Sequence, residues 1–172
     1  MPELMREVLP SAKRVAVLAN AADPFTKTFL EQIQRGGRAL ALEIAPIMIR
    51  ETSEFSAAFA DMTKRRTDFV IVQPSLQRRV AAELALQHRL PAISPQGPFP
   101  SEGGLMSYAA KVADIQWEAA VYVDKILKGA KPAEMPVQLP KLYELIINLK
   151  VAKALGITIP QSILLRADRV IE

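Results

Sequence analysis

The segment Arg14–Phe25, RVAVLANAADPF, decides the fold. Residues Val15–Ala19 form a short, continuous apolar run with β-branched valines, which is typical of a parallel strand covered on both faces. Asn20 and Asp23 flank a polar corner, and Pro24 suits the first turn of a helix. The segment therefore predicts a strand that turns directly into a helix.

The same alternation continues through the first half of the chain. Short apolar runs alternate with helix-period segments, and this order favours right-handed β-α-β crossovers. The predicted strands are Arg14–Ala19, Glu43–Ile49, Asp68–Val72 and Pro91–Ser94, and the predicted helices are Pro24–Leu42, Ser53–Arg66 and Leu76–Arg89. We therefore expect an α/β fold with a doubly wound parallel sheet, Rossmann-like or flavodoxin-like, in three layers α/β/α.

The predicted helices have apolar residues three, four or seven positions apart, so each has one buried side. In the first helix this stripe is Phe25, Phe29, Ile33 and Leu40. Either Asp23 or Ser75 could cap the helix that follows it. A short amphipathic helix is also expected at the N-terminus, within MPELMREVLPSAKR.

The pattern loosens after Ser94. A loop rich in Pro and Gly, SPQGPFPSEGG, precedes a short strand, and a further strand or edge lies near the C-terminus. A long helix between them ends where Gly and Pro follow it. The predicted elements are a strand at Leu105–Tyr108, a helix at Lys111–Leu127, a strand at Tyr143–Leu149 and a short helix at Val151–Leu155.

The helix Lys111–Leu127 has two apolar faces. One stripe contains Val112, Ile115 and Tyr122, and the other is centred on Trp117. Burying a large apolar side chain stabilises a fold by about 1.5–3 kcal/mol, so leaving three or four exposed forgoes roughly 5–10 kcal/mol. The second face is therefore expected to be covered by the C-terminal tail, by another lobe or by another subunit.

Polar residues follow the predicted strands where ligands bind in open α/β sheets. These ends read Asn20–Asp23, Gln73–Ser75 and Ser94–Gln96, and they supply amides, hydroxyls and one carboxylate. Such groups orient a small polar ligand through hydrogen bonds without reacting with it. Alternative roles are open: Asp23 could cap the next helix, and Asn20 could only hold the turn.

Several classes of site are not indicated. The chain has no cysteine, one histidine, no G-x-G-x-x-G or G-x-x-x-x-G-K-[ST] motif and no G-x-S-x-G elbow. His88 is interpreted as a structural residue at a helix C-terminus. With a dispersed net charge of +4 and no interleaved aromatic residues, nucleic-acid binding is not expected either. We predict no catalytic residue, no metal and no cofactor.

Three blocks resemble one protein family. They are LMREVLPSAKRVAVLANAADP, GGLMSYAA and AAVYVDKILKGAKPAEMPVQLPKLYELIINLKVAKALGITIP. Together they are similar to substrate-binding proteins of bacterial ABC transporters, a type 1 periplasmic binding protein group related to tryptophan/tyrosine-type components, in its later portion only. The resemblance implies one α/β lobe over residues 1–172 and a ligand cleft wall formed by its strand ends. The resulting site residues are Asn20, Asp23, Gln73, Ser75, Ser94, Gln96, Ser107 and Tyr108.

The resemblance also implies partners and a location. The expected ligand is a small polar molecule such as an amino acid, bound without catalysis, and ABC permease subunits are the expected protein partners. Residues 105–135 would form a crossing strand and helix that pack on a first lobe preceding Leu4, and without that lobe we predict a homodimer through helix 111–127. The location implied is periplasmic, or cytoplasmic if the chain is complete, since it shows no signal peptide.

Two other classes of function stay open from the sequence. An enzyme or a regulatory ligand-sensing domain could use the same doubly wound sheet, because a fold does not fix a function. A structural or interaction module could use the spare face of helix Lys111–Leu127. The lack of a recognisable acid–base pair favours the solute-binding hypothesis over an enzyme.

Overall fold

A computed structural model describes all residues, 1–172, and shows one seven-stranded sheet with helices on both faces. The strands are β1 Arg14–Asn20, β2 Glu43–Ile49, β3 Phe69–Val72, β4 Ala92–Ser94, β5 Met106–Ala110, β6 Tyr143–Asn148 and β7 Arg169–Ile171. The helices are α1 Pro2–Val8, α2 Thr26–Ala39, α3 Phe55–Lys64, α4 Arg78–Gln87, α5 Val112–Leu127, α6 Leu149–Leu155 and α7 Gln161–Leu164. Short 3₁₀ turns lie at 52–54, 99–102 and 132–134.

The strand order is β2-β1-β3-β4-β5-β6-β7. Strands β1 to β5 are mutually parallel, whereas β6 pairs antiparallel with β5 and parallel with β7. The α/β doubly wound sheet predicted from the alternation is therefore confirmed, with two reversed strands at one end. The strand predicted at Tyr143–Leu149 is confirmed as β6, and because β6 lies between β5 and β7 the alternative of an edge is wrong.

The apolar run of β1 is explained by burial on both faces of the sheet. Val15 and Val17 belong to a core that includes α1 and α7, while Ala16 and Leu18 belong to a second core beneath α3 and α4. All four are at most 1% exposed. A strand between two helix layers has no polar face, which is why its sequence does not alternate.

The structure corrects three local predictions. Helix α2 begins at Thr26, so Pro24 lies in the preceding turn, and Phe25, assigned to the buried stripe, is 74% exposed. Ser75 caps no helix, because α4 is preceded by Gln77 and has no side-chain cap. The corner after β1 is wider than the strand-to-helix pattern indicated.

The C-terminal tail contains α7 and strand β7, neither of which the sequence pattern predicts. Strand β7 extends the sheet beside β6 and does not cover α5. No residue of α5 is buried, and the exposed fractions of Trp117 and Leu127 are 73% and 82%. The expectation that the tail covers this helix is therefore wrong. None of the helices is long and apolar enough to cross a bilayer.

Candidate functional site

The carboxyl ends of the parallel strands bring the predicted polar residues to one edge of the sheet. Asn20 ends β1, Gln73 follows β3, and Ser94 ends β4 directly opposite Ser107 of β5. The backbone N–H of Asn20 lies 2.7 Å from Oε1 of Gln73, so the first two ends are in direct contact. We call this row of strand ends the carboxyl edge.

Gln73 is the centre of the network at the corner after β1. Its Oε1 accepts the Asn20 N–H, and its Nε2 donates to Asp23 Oδ2 and Thr26 Oγ1, both at 2.9 Å. The Thr26 hydroxyl in turn donates to the Asn20 carbonyl oxygen at 2.6 Å. Gln73 is 2% exposed, and a buried amide of this kind must use its donors and acceptor internally. Gln73 therefore positions the corner and presents no free group to a ligand.

Asp23 closes the corner with both carboxylate oxygens. Oδ1 accepts the Phe25 N–H at 2.8 Å, while Oδ2 accepts from Gln73. Hydrogen bonds from the Ser75 hydroxyl and then the Phe25 N–H lower the pKa of the Asp23 carboxyl below its ordinary value. Asn20 likewise holds the turn, since its Oδ1 accepts the Ala22 N–H at 2.9 Å. Asp23 is half-buried and ionised, so it can still meet a cation from the solvent side.

The lowered pKa gives the first prediction, for Asp23→Asn. The ionised carboxylate is the form that the fold stabilises, so its contribution is full above the unfolded-state pKa of about 4 and is lost as the pH falls through the lower folded-state pKa. We expect the variant to be less stable than the parent protein at pH 7, and the difference to shrink below about pH 4. Urea denaturation across that range measures it. A difference that stays constant down to pH 3 would contradict the assignment.

Three of the predicted residues are held by the fold. Ser94 is fully buried, and its hydroxyl donates to the Val72 carbonyl oxygen at 3.0 Å; buried Ser107 similarly donates to the Gly97 carbonyl at 3.4 Å. The Gln96 amide donates to the Pro74 carbonyl, and its Oε1 accepts from Arg78 Nη1 at 2.6 Å. These side chains join neighbouring strand ends to one another.

Arg78 extends this network beneath the loops. Its guanidinium forms a bidentate pair with Glu102, with Nη2 2.9 Å and Nε 3.1 Å from the carboxylate oxygens. The Glu102 hydrogen bond raises the pKa of Arg78 above its usual value. A planar guanidinium fits a carboxylate in this two-point geometry. Arg78 therefore fixes the loop after β4 against the start of α4, although the sequence analysis assigned it no role.

The exposed groups of the carboxyl edge are Ser75, Tyr108 and Phe25. Ser75 is exposed. Tyr108 is 37% exposed, and its ring stacks on Tyr143 with centroids 5.3 Å apart and planes at 16°. Phe25 stands beside Asp23 with 74% of its surface exposed. Sequence reasoning missed Phe25 because its spacing from Phe29 matches a buried stripe, and only the position of the helix start separates them.

His88 has the structural role that was predicted. It caps the C-terminus of α4, its Nδ1 lies 2.9 Å from the Thr63 hydroxyl, and its ring packs on Phe59 with centroids 6.0 Å apart. The Thr63 hydroxyl is its one side-chain hydrogen-bond partner, and no carboxylate is hydrogen-bonded to it. No group of three His, Asp or Glu side chains lies close enough to hold a metal ion.

A family model described as ABC transporter substrate binding protein matches residues 2–171. The chain belongs to this family. The resemblance seen in the three sequence blocks is thereby confirmed. A curated relative, the tyrosine-binding protein of Clostridioides difficile (strain R20291), is 22% identical over 159 residues, which is 89% of this chain and 45% of that protein.

Two solved structures have the same fold over nearly the whole chain. An ABC domain from Streptococcus pneumoniae, in complex with L-Trp, has a TM-score of 0.89 and 26% identity, covering 99% of this chain and 59% of that one. A conserved domain protein from Vibrio cholerae O1 biovar El Tor has a TM-score of 0.89 and 23% identity, covering 98% and 58%. The chain thus spans less than two thirds of the length of these relatives.

Helix α5 and the segment that follows it form a separate arm in this family member. Residues 137–142 lie beside α5, where Lys141 Nζ is 3.1 Å from Glu118 and the Tyr122 hydroxyl donates to the Pro136 carbonyl. Between them is a mainly apolar pocket of about 460 Å³ that includes Trp117 and Leu139. The arm leaves the sheet at the end of β5 and returns at the start of β6, and its apolar side chains are uncovered.

Proposed function

We propose that this chain forms a wall of a solute-binding cleft in an ABC-type uptake system and binds a small polar molecule, an amino acid in the first instance. The observation that carries the proposal is the carboxyl edge: a rigid hydrogen-bonded corner presents Asp23, Ser75 and Phe25 to solvent in a member of the substrate-binding family. A carboxylate, a hydroxyl and an aromatic ring suit the ammonium and side chain of an aromatic amino acid.

The choice of an amino acid is supported by the relatives. One is called a tyrosine-binding protein, and the Streptococcus structure contains L-Trp. The wall comprises the eight predicted positions, with two roles: Asp23, Ser75 and Tyr108 face the cleft, and the others hold the turn and the strand ends, namely Asn20, Gln73, Ser94, Gln96 and Ser107. The protein acts outside the cytoplasmic membrane, delivers solute to permease subunits and carries out no reaction. Among the eight predicted residues Asp23 is the one acidic group, so these positions do not themselves contain an acid–base pair.

A thermal-shift titration with L-Trp and L-Tyr tests this function. Ligand that binds only the folded state at ten times its Kd should raise Tm by about 3–6 °C for a chain of this size. Asp23→Ala should abolish the rise, because it removes the carboxylate that meets the ligand ammonium. Glu31→Ala, at an exposed position of α2, is the matched control and should keep it. A rise that survives Asp23→Ala would move the site elsewhere, and no rise with any amino acid would refute the function.

The α5 arm is proposed to pack on a second copy of the chain, as a homodimer. The helix has sixteen residues and none is buried, whereas an ordinary surface helix buries one stripe. Trp117, Val123 and Leu127 are each more than half exposed. An arm that projects from the sheet can exchange between subunits, which is a low-cost route to a dimer. The two copies would then cover each other's apolar faces.

A further inference from the structure

A second groove lies at the other end of the carboxyl edge, away from Asp23. It has a volume of about 700 Å³ and lies where β4, β6 and β7 meet the start of α5. Four charged residues line it: Lys111, Glu144, Asp168 and Arg169. Two are cationic and two are anionic, so the groove has no net charge but contains both signs.

The sheet register places these charges together. Ile146 pairs with Arg169 across β6 and β7, so their side chains share one face, and Glu144 is two residues before Ile146 on that face. The Lys111 N–H bonds to the Leu142 carbonyl oxygen, which makes Lys111 a diagonal neighbour of Glu144. Ile146 is 3% exposed and forms an apolar floor between them.

None of the four charged groups forms an ion pair within 4.0 Å, although other surface charges pair elsewhere. Arg169 donates one hydrogen bond, from Nη2 to the Ser101 hydroxyl at 3.1 Å, and Asp168 uses only Oδ2, which accepts the Leu145 N–H at 2.8 Å. The Lys111 ammonium and the Glu144 carboxylate make no side-chain hydrogen bond. Opposite charges therefore face one groove without neutralising each other.

Gly97 makes room for the Glu144 carboxylate. A Cβ at this position would lie 2.9 Å from Glu144 Oε1, a distance that real Cβ atoms essentially never show. A larger residue would therefore require the end of the flexible Glu144 side chain to move away from Gly97. The half-buried Glu144 carboxylate thus lies at the groove wall in space that the glycine leaves open.

We propose that this groove is a second solute site, for a small zwitterion such as a free α-amino acid. The ligand carboxylate binds between Lys111 and Arg169, and its ammonium binds to Glu144 and the free Oδ1 of Asp168. A dipolar ligand satisfies both signs at once, whereas a simple anion or cation leaves half of the charges unpaired. The site is about four strand spacings, or roughly 19 Å, from the corner after β1, so it does not depend on the Asp23 site.

Titration of backbone amide NMR signals with L-alanine tests the proposal. L-alanine has little side chain, so it reports recognition of the zwitterion alone. Saturable shifts are expected at Gly97, Lys111 and Glu144 with a Kd on the order of 1–10 mM, since the charges are exposed to solvent screening. Acetate and ethylammonium, each with one of the two charges, should bind roughly fivefold more weakly or worse.

Variants separate this site from the proposed Asp23 site. Glu144→Gln and Arg169→Gln should each weaken L-alanine binding by about fivefold or more, and Gly97→Ala should do the same by displacing the carboxylate. Lys150→Gln on α6 and Asp23→Ala should leave it unchanged. Absence of saturation, equal binding of acetate, or shifts that persist in both Glu144→Gln and Arg169→Gln would overturn the proposal. Because L-Trp and L-Tyr carry the same zwitterion and can also enter the groove, the two sites are separated by position: the groove by shifts at Gly97, Lys111 and Glu144, and the Asp23 corner by shifts at Asn20–Phe25.

Discussion

Replacing Gln73 with leucine is expected to lower the free energy of unfolding by about 2–4 kcal/mol. The substitution keeps the side-chain size but leaves the part-buried Asn20 N–H without an acceptor and the Thr26 hydroxyl without its amide donor. An unsatisfied buried polar group costs about 1–3 kcal/mol. The substitution also removes the hydrogen bond from Gln73 to Asp23 Oδ2, so ligand binding at the corner should weaken as well. Urea denaturation measures the first effect and the thermal-shift titration the second.

Gln87→Leu is the matched control for this substitution. Gln87 ends α4 and is exposed, so the same chemical change should alter stability by no more than about 0.5 kcal/mol. If Gln73→Leu were as mild as its control, Gln73 would not be the residue that organises the corner. The division of the wall into residues that hold the strand ends and residues that face the ligand would then be wrong for Gln73.

Replacing Trp117 with glutamate should convert the proposed dimer to monomers. A tryptophan at the centre of an interface commonly contributes 2 kcal/mol or more, so the dimer dissociation constant should rise by about 30-fold or more. Trp117 is the one tryptophan of the chain and is 73% exposed in the single copy. In the unmutated protein its fluorescence should therefore shift to shorter wavelength as concentration increases, and light scattering should show twice the chain mass.

Leu165→Glu provides the control for association. Leu165 is 78% exposed and lies just after α7, far from the α5 arm in the chain. It should leave both the mass and the tryptophan emission unchanged. The dimer would be contradicted if the unmutated protein were a monodisperse monomer at micromolar concentration and its tryptophan emission did not change with concentration.

Most of the fold could be predicted because the two periodicities in this chain are distinct. Strand β1 has a continuous apolar run because it is buried on both faces, whereas α3 and α4 have spaced apolar residues because each helix is buried on one side. Strand β7 was not predicted: it is three residues long, and its pattern is set by the neighbouring strand β6 and not by its own sequence. The antiparallel direction of β6 was not predicted either, because it depends on where the chain returns to the sheet after the α5 arm.

The convergence of the strand ends was predicted from the sequence, but the contacts among their side chains were not. Strand ends converge in any parallel sheet, so Asn20, Gln73 and Ser94 were expected together, and they are. The hydrogen bonds among these residues depend on side-chain geometry, which cannot be read from the sequence. Buried Gln73 and Ser94 satisfy the backbone, whereas Phe25, assigned to the core, faces solvent. The charged groove depends on the register of β6 and β7 and had no sequence signal.

The proposed function requires the solute to bind at the corner after β1, and amide NMR titration with L-Tyr measures the location of binding directly. Saturable shifts at Asn20–Phe25 and at Ser75, with the amino acid recovered unchanged, are the expected result. Shifts confined to the α5 arm, no saturable shifts at any amide, or chemical conversion of the amino acid would contradict it.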